Sequence, residues 1–532
     1  MKTTLFKFFT ASGLALLMVL TGCVKDLDTV PIDKDVFTPN NVYTTASAYK
    51  QVLAKVYAGM SVSGQQGPSG NGDLQGLDEG FGQYLRAYWY HQELTTDEAH
   101  ISWNDGTIHD FNKMTWSSSS EFVTNMYYRL FYQIALCNEF IREASDAKLD
   151  ERGFNEADKT TIQEYRAEAR FMRALSYWHA LDLFGSVPFV TEEDAVGSFF
   201  PEQISKADLF DYIESELQAI EGELAQPRTN EYARADQASA WTLLAKLYLN
   251  AEVYTGVPKY TECLTYCNNI IGAGYSLETS YQSMFLADNH LATNEVIFSI
   301  PFDGDSIQTW GGTTFIINSE VGSGMVTADF GISGGWWGLR ARQEFVNNFT
   351  DHSGATDTRA MFWTDHGLSI DDPFNFEAGG YKVEKWKNVT SGGQAGKNGT
   401  HPDTDFPMFR LADVYLMYAE AVLRGGTGGT AGQAITYINL LRERAYGDAS
   451  GNITGGDLNL DFVLDERARE LYWEAHRRTD LVRYGLFTGD DYLWQWKGGE
   501  QDGVATDSKY DVFPIPASEI GANPQLTQNT GY

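Results

Sequence analysis

The chain has 532 residues, of which 43% are hydrophobic, 14% aromatic and 21% charged. It is too long and too apolar for a disordered chain, and it is long enough to bury a large core. Acidic residues outnumber basic ones by 72 to 39, and the net charge of −33 argues against nucleic acid as a partner and favours a neutral or cationic one.

The N-terminus has the pattern of an export signal. Two lysines accompany an apolar stretch that is too short and too early for a membrane span. The stretch ends in Leu-Thr-Gly-Cys at 20–23, which resembles a bacterial lipobox, in which the cysteine is diacylated and becomes the new N-terminus. We expect residues 1–22 to be a cleaved signal peptide and Cys23 to carry the lipid. The alternative is an ordinary signal peptide with a chance cysteine.

Residues 23–45 are predicted to tether the lipid to the fold, because they combine prolines and acidic residues with no helical period. From residue 46 to 532 we expect one domain with two kinds of segment. In the first kind, apolar residues recur every three or four positions. These segments predict helices at 121–146, 157–184, 204–223, 234–252, 258–272, 410–424, 430–446 and 462–484.

Many of these helices alternate small residues with aromatic ones, as in Ala240, Trp241, Leu244 and Ala245. This pattern favours stacked helix pairs like tetratricopeptide units. The predicted fold is therefore mostly α. A helix-pair scaffold spans about 120–273 and 405–485.

The second kind of segment is rich in Gly, Ser, Asn and aromatic residues, and predicts a loop-rich irregular lobe. Short apolar runs at 295–300 and 314–317 are interpreted as strands within it. Long loops on a rigid scaffold usually carry function. The lobe is assigned to about 61–119, 274–404 and 486–532.

With Cys23 assigned to the lipid, three cysteines remain: Cys137, Cys263 and Cys267. Three thiols cannot all pair, and no histidine or second cysteine pair accompanies them to form a metal site. We predict buried free thiols, and neither a metal nor a cofactor.

Further motifs lie at 170–178 (RFMRALSYW), 183–188 (LFGSVP), 410–421 (RLADVYLMYAEA), 466–471 (ERAREL), 477–483 (RRTDLVR) and the C-terminal 515–532. In this order, these motifs resemble the SusD/RagB family of outer-membrane lipoproteins. Together with the lipobox, they cover nearly the whole chain to its last residue.

The resemblance implies a cell-surface glycan-binding protein, lipid-anchored in the outer membrane, that passes oligosaccharides to a SusC-like TonB-dependent transporter. It also implies four tetratricopeptide-like helix pairs supporting the irregular lobe. Most motif residues are expected to be structural. In particular, the arginines and glutamates of 466–483 are expected to form ion pairs between helices.

A glycan site requires flat aromatic rings beside amide, carboxylate and guanidinium groups, because sugars have apolar CH faces and polar rims. The region 78–116 offers such a set, centred on a turn in which a tryptophan precedes an amide, an acid and a glycine. The predicted carbohydrate-binding residues here are Trp103, Asn104, Asp105, Asp78, Arg86 and Tyr84, with Trp89 and Trp116 as weaker candidates.

A second candidate region, 302–340, contains Trp310 and the adjacent pair Trp336 and Trp337. Adjacent residues on a strand face opposite sides, so one ring of the pair is expected to be exposed while the other packs. All three tryptophans are predicted as candidate platforms. Sequence alone does not decide among them.

No enzyme motif is convincing. Residues 331–335 match G-x-S-x-G, but no buried strand precedes them and no helix is predicted to follow. We therefore predict a binding protein and not an enzyme, with α-glucan as the favoured ligand. Two alternatives stay open: a surface glycoside hydrolase, whose carboxylate pair would be visible only in space, and a RagB-like peptide-binding transporter subunit.

Overall fold

The computed structural model describes residues 38–197 and 199–532. The predicted signal peptide, the predicted lipid site Cys23 and most of the predicted tether lie outside these residues. The described chain is mostly helical, as the sequence predicts.

The scaffold contains the longest helices together with a few short ones. In chain order these are α2 (Ala46–Ser61), α5 (Glu121–Glu143), α6 (Asp146–Glu151), α7 (Glu156–Phe184), α8 (Lys206–Ile220), α9 (Gln237–Leu249), α10 (Ala251–Thr255), α11 (Tyr260–Gly272), α14 (Leu411–Leu423), α15 (Ala431–Tyr446), α16 (Leu460–Leu471) and α17 (Arg477–Arg483). Neighbouring helices pair in succession: α5 packs on α7, α7 on α8, α9 on α11, α11 on α14, and α14 on α15 and α16. This is the predicted stack of helix pairs.

Short elements make up the lobe and the two ends. The helices are α1 (Pro39–Val42), α3 (Tyr84–Trp89), α4 (His109–Lys113), α12 (Gly312–Glu320), α13 (Gln343–Val346) and α18 (Ala517–Ala522), with a π-helical turn at Tyr90–Leu94. The strands are β1 (Gly64–Gln66), β2 (Gly70–Gly72), β3 (Ala99–Ile101), β4 (Val187–Pro188), β5 (Gln203–Ile204), β6 (Val296–Ile300), β7 (Leu339–Ala341), β8 (Phe362–Trp363), β9 (Lys382–Val383) and β10 (Phe406–Arg410). They form antiparallel pairs: β1 with β2, β3 with β7, β4 with β5, β6 with β10, and β8 with β9.

Local sequence signals explain the helix ends well. The Asn155 side chain accepts a hydrogen bond from the Asp158 N–H and caps α7. Gly185, at φ +71°, ends the same helix. The small residues Ala238, Ala240 and Ala245 of α9 are all buried, which lets neighbouring helices approach closely.

Buried ion pairs lock the scaffold, as predicted for 466–483. Glu470 is fully buried and pairs with three guanidinium groups, those of Arg359, Arg410 and Arg444. Arg483 pairs with Glu420 at 2.6 Å. Because each charge has lost its water, its partner is needed to keep it inside.

The predicted helix 462–484 is wrong in its middle, where α16 ends at Leu471 and α17 begins at Arg477. Trp473 and Ala475 adopt left-handed backbone angles there, φ +61° and +64°. Their N–H groups donate to the carboxylates of Glu98 and Glu93, at 3.1 and 2.6 Å. Long-range hydrogen bonds therefore override the local helical period.

The two predicted strands of the insertion have different outcomes. The run at 295–300 is confirmed as β6. The run at 314–317 is wrong, because it lies within α12, all of whose residues are buried. A β-branched run surrounded on every side has no apolar periodicity, so its pattern does not distinguish a strand from a buried helix.

Helix α2 is not among the predicted helices.

Cys137, Cys263 and Cys267 are buried and free, as predicted. The sulfur atoms of Cys263 and Cys267 lie 4.0 Å apart on one face of α11.

Candidate functional site

Three indole rings from separate segments lie side by side on the lobe. The ring centroids of Trp103 and Trp336 are 6.4 Å apart, and those of Trp336 and Trp310 are 5.9 Å apart. Successive ring planes are inclined by 43° and 50°, and all three rings are partly exposed. We call Trp103, Trp336 and Trp310 the aromatic arc. It forms a curved apolar ledge.

The pairing of β3 with β7 brings two arc segments together. Ile101 lies opposite Leu339 in this antiparallel pair, so the residues just beyond each strand end become neighbours. The Trp103 Nε1–H donates to the Trp337 carbonyl oxygen at 2.7 Å. Gly338 is needed at this crossing: its φ is +112°, and a Cβ there would lie 2.3 Å from Trp103 Nε1.

Other contacts hold the backbone of Trp336 and the ring of Trp310. The Trp336 backbone N–H donates to the Asn318 carbonyl of α12 at 2.6 Å. The Trp310 Nε1–H donates to Ser69 Oγ at 2.6 Å, and its ring centroid lies 4.8 Å from that of His401. The arc is thus held in place before any ligand arrives, which lowers the ordering cost of binding.

Arg86 lies beneath the arc and supports it. Its guanidinium is 4.4 Å from the Phe315 ring centroid and 5.6 Å from that of Trp103. It donates to the Trp310 carbonyl at 2.8 Å and to the Tyr90 hydroxyl at 2.7 Å. With 4% of its surface exposed, Arg86 offers a ligand little area, so its predicted role in direct binding is corrected to one of positioning.

Asp78, Asp105 and Asn104 are exposed at the site. Asp78 Oδ1 accepts the Gly80 N–H at 2.8 Å. A Cβ at Gly80 would lie 3.2 Å from Asp78 Oδ1 and 3.1 Å from Trp310 Cβ, which places Asp78 next to the arc. Burial raises the pKa of Tyr90 to about 12, and the carboxylates of Asp105 and Asp78 add to this increase. Both carboxylates therefore lie close enough to the Tyr90 hydroxyl, below the arc, to influence its ionisation electrostatically.

Tyr84 is the clear error among the predicted binding residues. It is completely buried, and its hydroxyl contacts His179 Nδ1 of α7 at 2.8 Å. Residue 84 begins α3, whose every side chain faces the interior. Trp89 and Trp116 are buried as well.

Trp337 contributes to the site through its backbone. Its carbonyl anchors Trp103, and its φ of +61° is unusual for a tryptophan. A Cβ at Gly322 would lie 3.7 Å from Trp337 Cγ, so the ring packs beside that glycine. The expectation that one ring of the pair would be exposed while the other packs is not confirmed, because both residues precede β7 and both are partly exposed. Trp336 joins the arc through its ring, whereas Trp337 anchors Trp103 through its carbonyl.

Sequence reasoning missed His401, a neighbour of the arc, and an exposed aromatic loop that is hydrogen-bonded to Ser102. His401 lies 92 residues from the carbonyl of Thr309 that its ring contacts. Phe374 and Phe376, exposed by 43% and 38%, lie on a loop held to Ser102 through the Asn375 carbonyl at 3.1 Å. These loops have no periodic pattern, so no sequence signal marked them.

Within the part of the chain that the structure describes, no three His, Cys, Asp or Glu side chains assemble as a potential metal site. Likewise, none of the described helices combines the length and apolar character that crossing a bilayer requires.

Comparison with known proteins agrees with this architecture. The model of the SusD family matches residues 363–532. The starch-binding protein SusD of Bacteroides thetaiotaomicron is 35% identical, with both chains covered completely. SusD-like protein P2 of Formosa agariphila is 24% identical over 99% of this chain and 100% of its own.

Solved structures show the same fold. Surface glycan-binding protein A from Bacteroides fluxus superposes with a TM-score of 0.69 at 20% identity, covering 92% of this chain and 100% of its own. Surface glycan-binding protein A from Bacteroides thetaiotaomicron, in complex with laminarihexaose, gives a TM-score of 0.67 at 19% identity, covering 91% and 99%. The mostly helical fold is thus one that other proteins share. This chain belongs to the SusD family.

Proposed function

We propose that this protein is a non-catalytic glycan-binding lipoprotein of the cell surface, and that the aromatic arc is its platform. The observation that carries the proposal is the convergence of three partly exposed indoles from residues 103, 310 and 336 on one ledge. Indole faces match the apolar CH faces of sugars, and Asn104, Asp105 and Asp78 supply acceptors and donors for hydroxyl groups at the rim.

The inclination of the rings favours a curved glycan. Successive planes turn by 43° and 50°, so a flat, ribbon-like chain contacts one ring face at a time. A helical chain turns between sugar units and follows all three rings. Both α-1,4-glucans and β-1,3-glucans have this shape. The starch-binding relative favours the α-glucan, and the laminarihexaose complex of a structural neighbour makes the β-glucan the alternative.

Affinity electrophoresis in gels containing amylopectin, laminarin or a cellulose derivative tests this proposal. We expect retardation by amylopectin, and calorimetry should show maltoheptaose binding that Trp103→Ala strongly weakens. Retardation by the cellulose derivative alone would contradict the curvature argument. Failure of every glycan, with a peptide bound instead, would favour the RagB-like alternative.

The absence of catalysis is tested separately. After long incubation with the bound glycan, we expect no new reducing ends. Glycan cleavage that is lost on replacing a carboxylate near the arc, such as Asp78→Asn, would establish the hydrolase alternative.

The remaining parts of the proposal concern the membrane and the transporter. The lipobox at 20–23 supports a lipid on Cys23. Membership of the SusD family supports an outer-membrane location and delivery of glycan to a SusC-like TonB-dependent transporter. We expect Cys23→Ala to release the protein from the membrane fraction while its glycan affinity stays unchanged. Affinity purification of the intact lipoprotein should retain the transporter, and its absence would remove that partner from the proposal.

A further inference from the structure

A groove runs along helix α2, next to the aromatic arc but outside it. Its cavity of about 580 Å³ is lined by α2, by residues between 62 and 67, by residues 231–234, and by Pro301 with residues 305–308. This volume falls within the range of small-molecule sites. The groove-lining residues of α2 include Lys50, Ala54, Ala58 and Ser61, which recur at helical spacing and form one stripe. The stripe is about 16 Å long at 1.5 Å per residue.

Small side chains create the space. Ala54, Ala58 and Ser61 leave space above the floor of the groove, whereas the opposite wall carries larger polar groups. Lys50 and Glu231 form an ion pair at 2.6 Å, and both line the groove.

The wall has the chemistry that a sugar requires. The Tyr232 ring is 45% exposed, and its hydroxyl donates to Asp405 Oδ2 at 2.5 Å, which fixes the orientation of the ring. Asp305 and Ser306 are exposed on the adjacent turn. A fixed aromatic face beside a carboxylate and a hydroxyl repeats the combination found at the arc.

Both sides of the groove lead to Trp310. Gln308 lines the groove and precedes Trp310 by two residues, so their Cα atoms are at most about 7.6 Å apart. On the other side, Gly67 lines the groove and precedes Ser69 by two residues, and Ser69 accepts the hydrogen bond from Trp310 Nε1 at 2.6 Å. The groove therefore begins where the arc ends.

We propose that this groove is a second glycan subsite, which holds the part of a long neutral oligosaccharide that extends beyond Trp310. The inference rests on the proposed function, because the arc must bind the first part of the same chain. It adds that the protein selects for chain length: a short oligosaccharide covers the three indoles, and a longer one also fills the groove.

The test compares two α2 variants by calorimetry with maltotriose and maltoheptaose. Ala58→Trp fills the groove. Gln51→Trp places the same ring on an exposed position of α2 outside the groove lining and serves as the matched control. We expect Ala58→Trp to weaken maltoheptaose binding about tenfold, equivalent to 1.4 kcal/mol, and to leave maltotriose binding unchanged. Gln51→Trp should match the wild type with both sugars.

A second variant, Tyr232→Ala, tests the same proposal if Ala58→Trp misfolds. It should also weaken maltoheptaose binding and leave maltotriose binding unchanged. If the wild type prefers β-1,3-glucans, laminaritriose and laminarihexaose replace the two probes. Wild-type binding of the short and long sugars, with an affinity ratio that neither groove variant changes, overturns the second subsite and leaves the arc intact. The same unchanged ratio is expected if the groove holds a peptide or residues 24–37 instead of a glycan. If the wild type binds no glycan of either length, the proposed function fails, and the inference fails with it.

Discussion

Replacing Trp336 by alanine should weaken glycan binding more cleanly than any other change to the arc. Trp336 occupies the centre, with a neighbouring indole at 6.4 Å on one side and at 5.9 Å on the other. Its backbone N–H, which an alanine retains, makes the bond to the Asn318 carbonyl. The variant therefore removes the ring and keeps the loop anchored.

The magnitude follows from the area of one ring face. A tryptophan buries up to about 250 Å² in all, so a sugar on one face covers on the order of 100 Å². At about 25 cal/mol per Å², the loss is about 2.5 kcal/mol. Relaxation of the neighbouring rings recovers part of this, and we expect about 2 kcal/mol, or roughly a thirtyfold lower affinity.

Calorimetry with maltoheptaose and affinity electrophoresis in amylopectin measure the effect. Trp336→Phe keeps a flat ring and should retain most of the affinity. Trp241→Ala removes a partly buried tryptophan of the scaffold helix α9 and should leave binding unchanged. Undiminished affinity in a variant that lacks Trp103, Trp310 and Trp336 together would refute the aromatic-platform reasoning.

Three further outcomes are expected. Gly338→Ala should displace Trp103, since its Cβ would lie 2.3 Å from Nε1, and should reduce glycan affinity at least as much as loss of one ring. Gly334→Ala in the same loop, where a Cβ meets nothing within 4 Å, should have no effect, and equal behaviour of the two in gel retardation would disprove the clash. Glu470→Gln should lower the free energy of unfolding by about 3–5 kcal/mol in urea titrations, because it leaves three guanidinium groups without their shared carboxylate, while glycan affinity in the folded protein stays the same. Burial alone raises the pKa values of Glu470 and Glu420, but the surrounding guanidinium groups outweigh burial and lower both to about 2. Their stabilising contribution is therefore present above pH 4.5 and lost as the pH falls towards 2; the stability difference between wild type and Glu470→Gln should shrink over that range, and a constant difference would contradict the assignment.

The scaffold could be predicted from the sequence because its signals are local. Apolar residues recur at helical spacing within each segment, and caps such as Asn155 and Gly185 mark the ends of α7. The predicted range 157–184 differs by one residue from the observed Glu156–Phe184. Where a distant group competes for the backbone, as Glu93 and Glu98 do at residues 473–475, the local pattern fails.

The site could be predicted only in part. A tryptophan before a polar turn correctly indicated that residue 103 lies at the surface, since turns are exposed for local reasons. Tyr84 belongs to the same aromatic-rich stretch and is buried, because α3 packs against helices far away in the chain. Composition does not distinguish an exposed ring from a buried one.

The sequence by itself determined the helical scaffold, and it predicted an export signal and the residue types of a glycan site. Only the tertiary structure decided which rings share a ledge, how they are inclined and where the adjoining groove lies. The reason is physical: helices are defined by contacts three and four residues apart, whereas the ledge depends on contacts across 234 and 241 residues, from Trp103 to Trp337 and from Ser69 to Trp310. Chain folding alone brings such partners together.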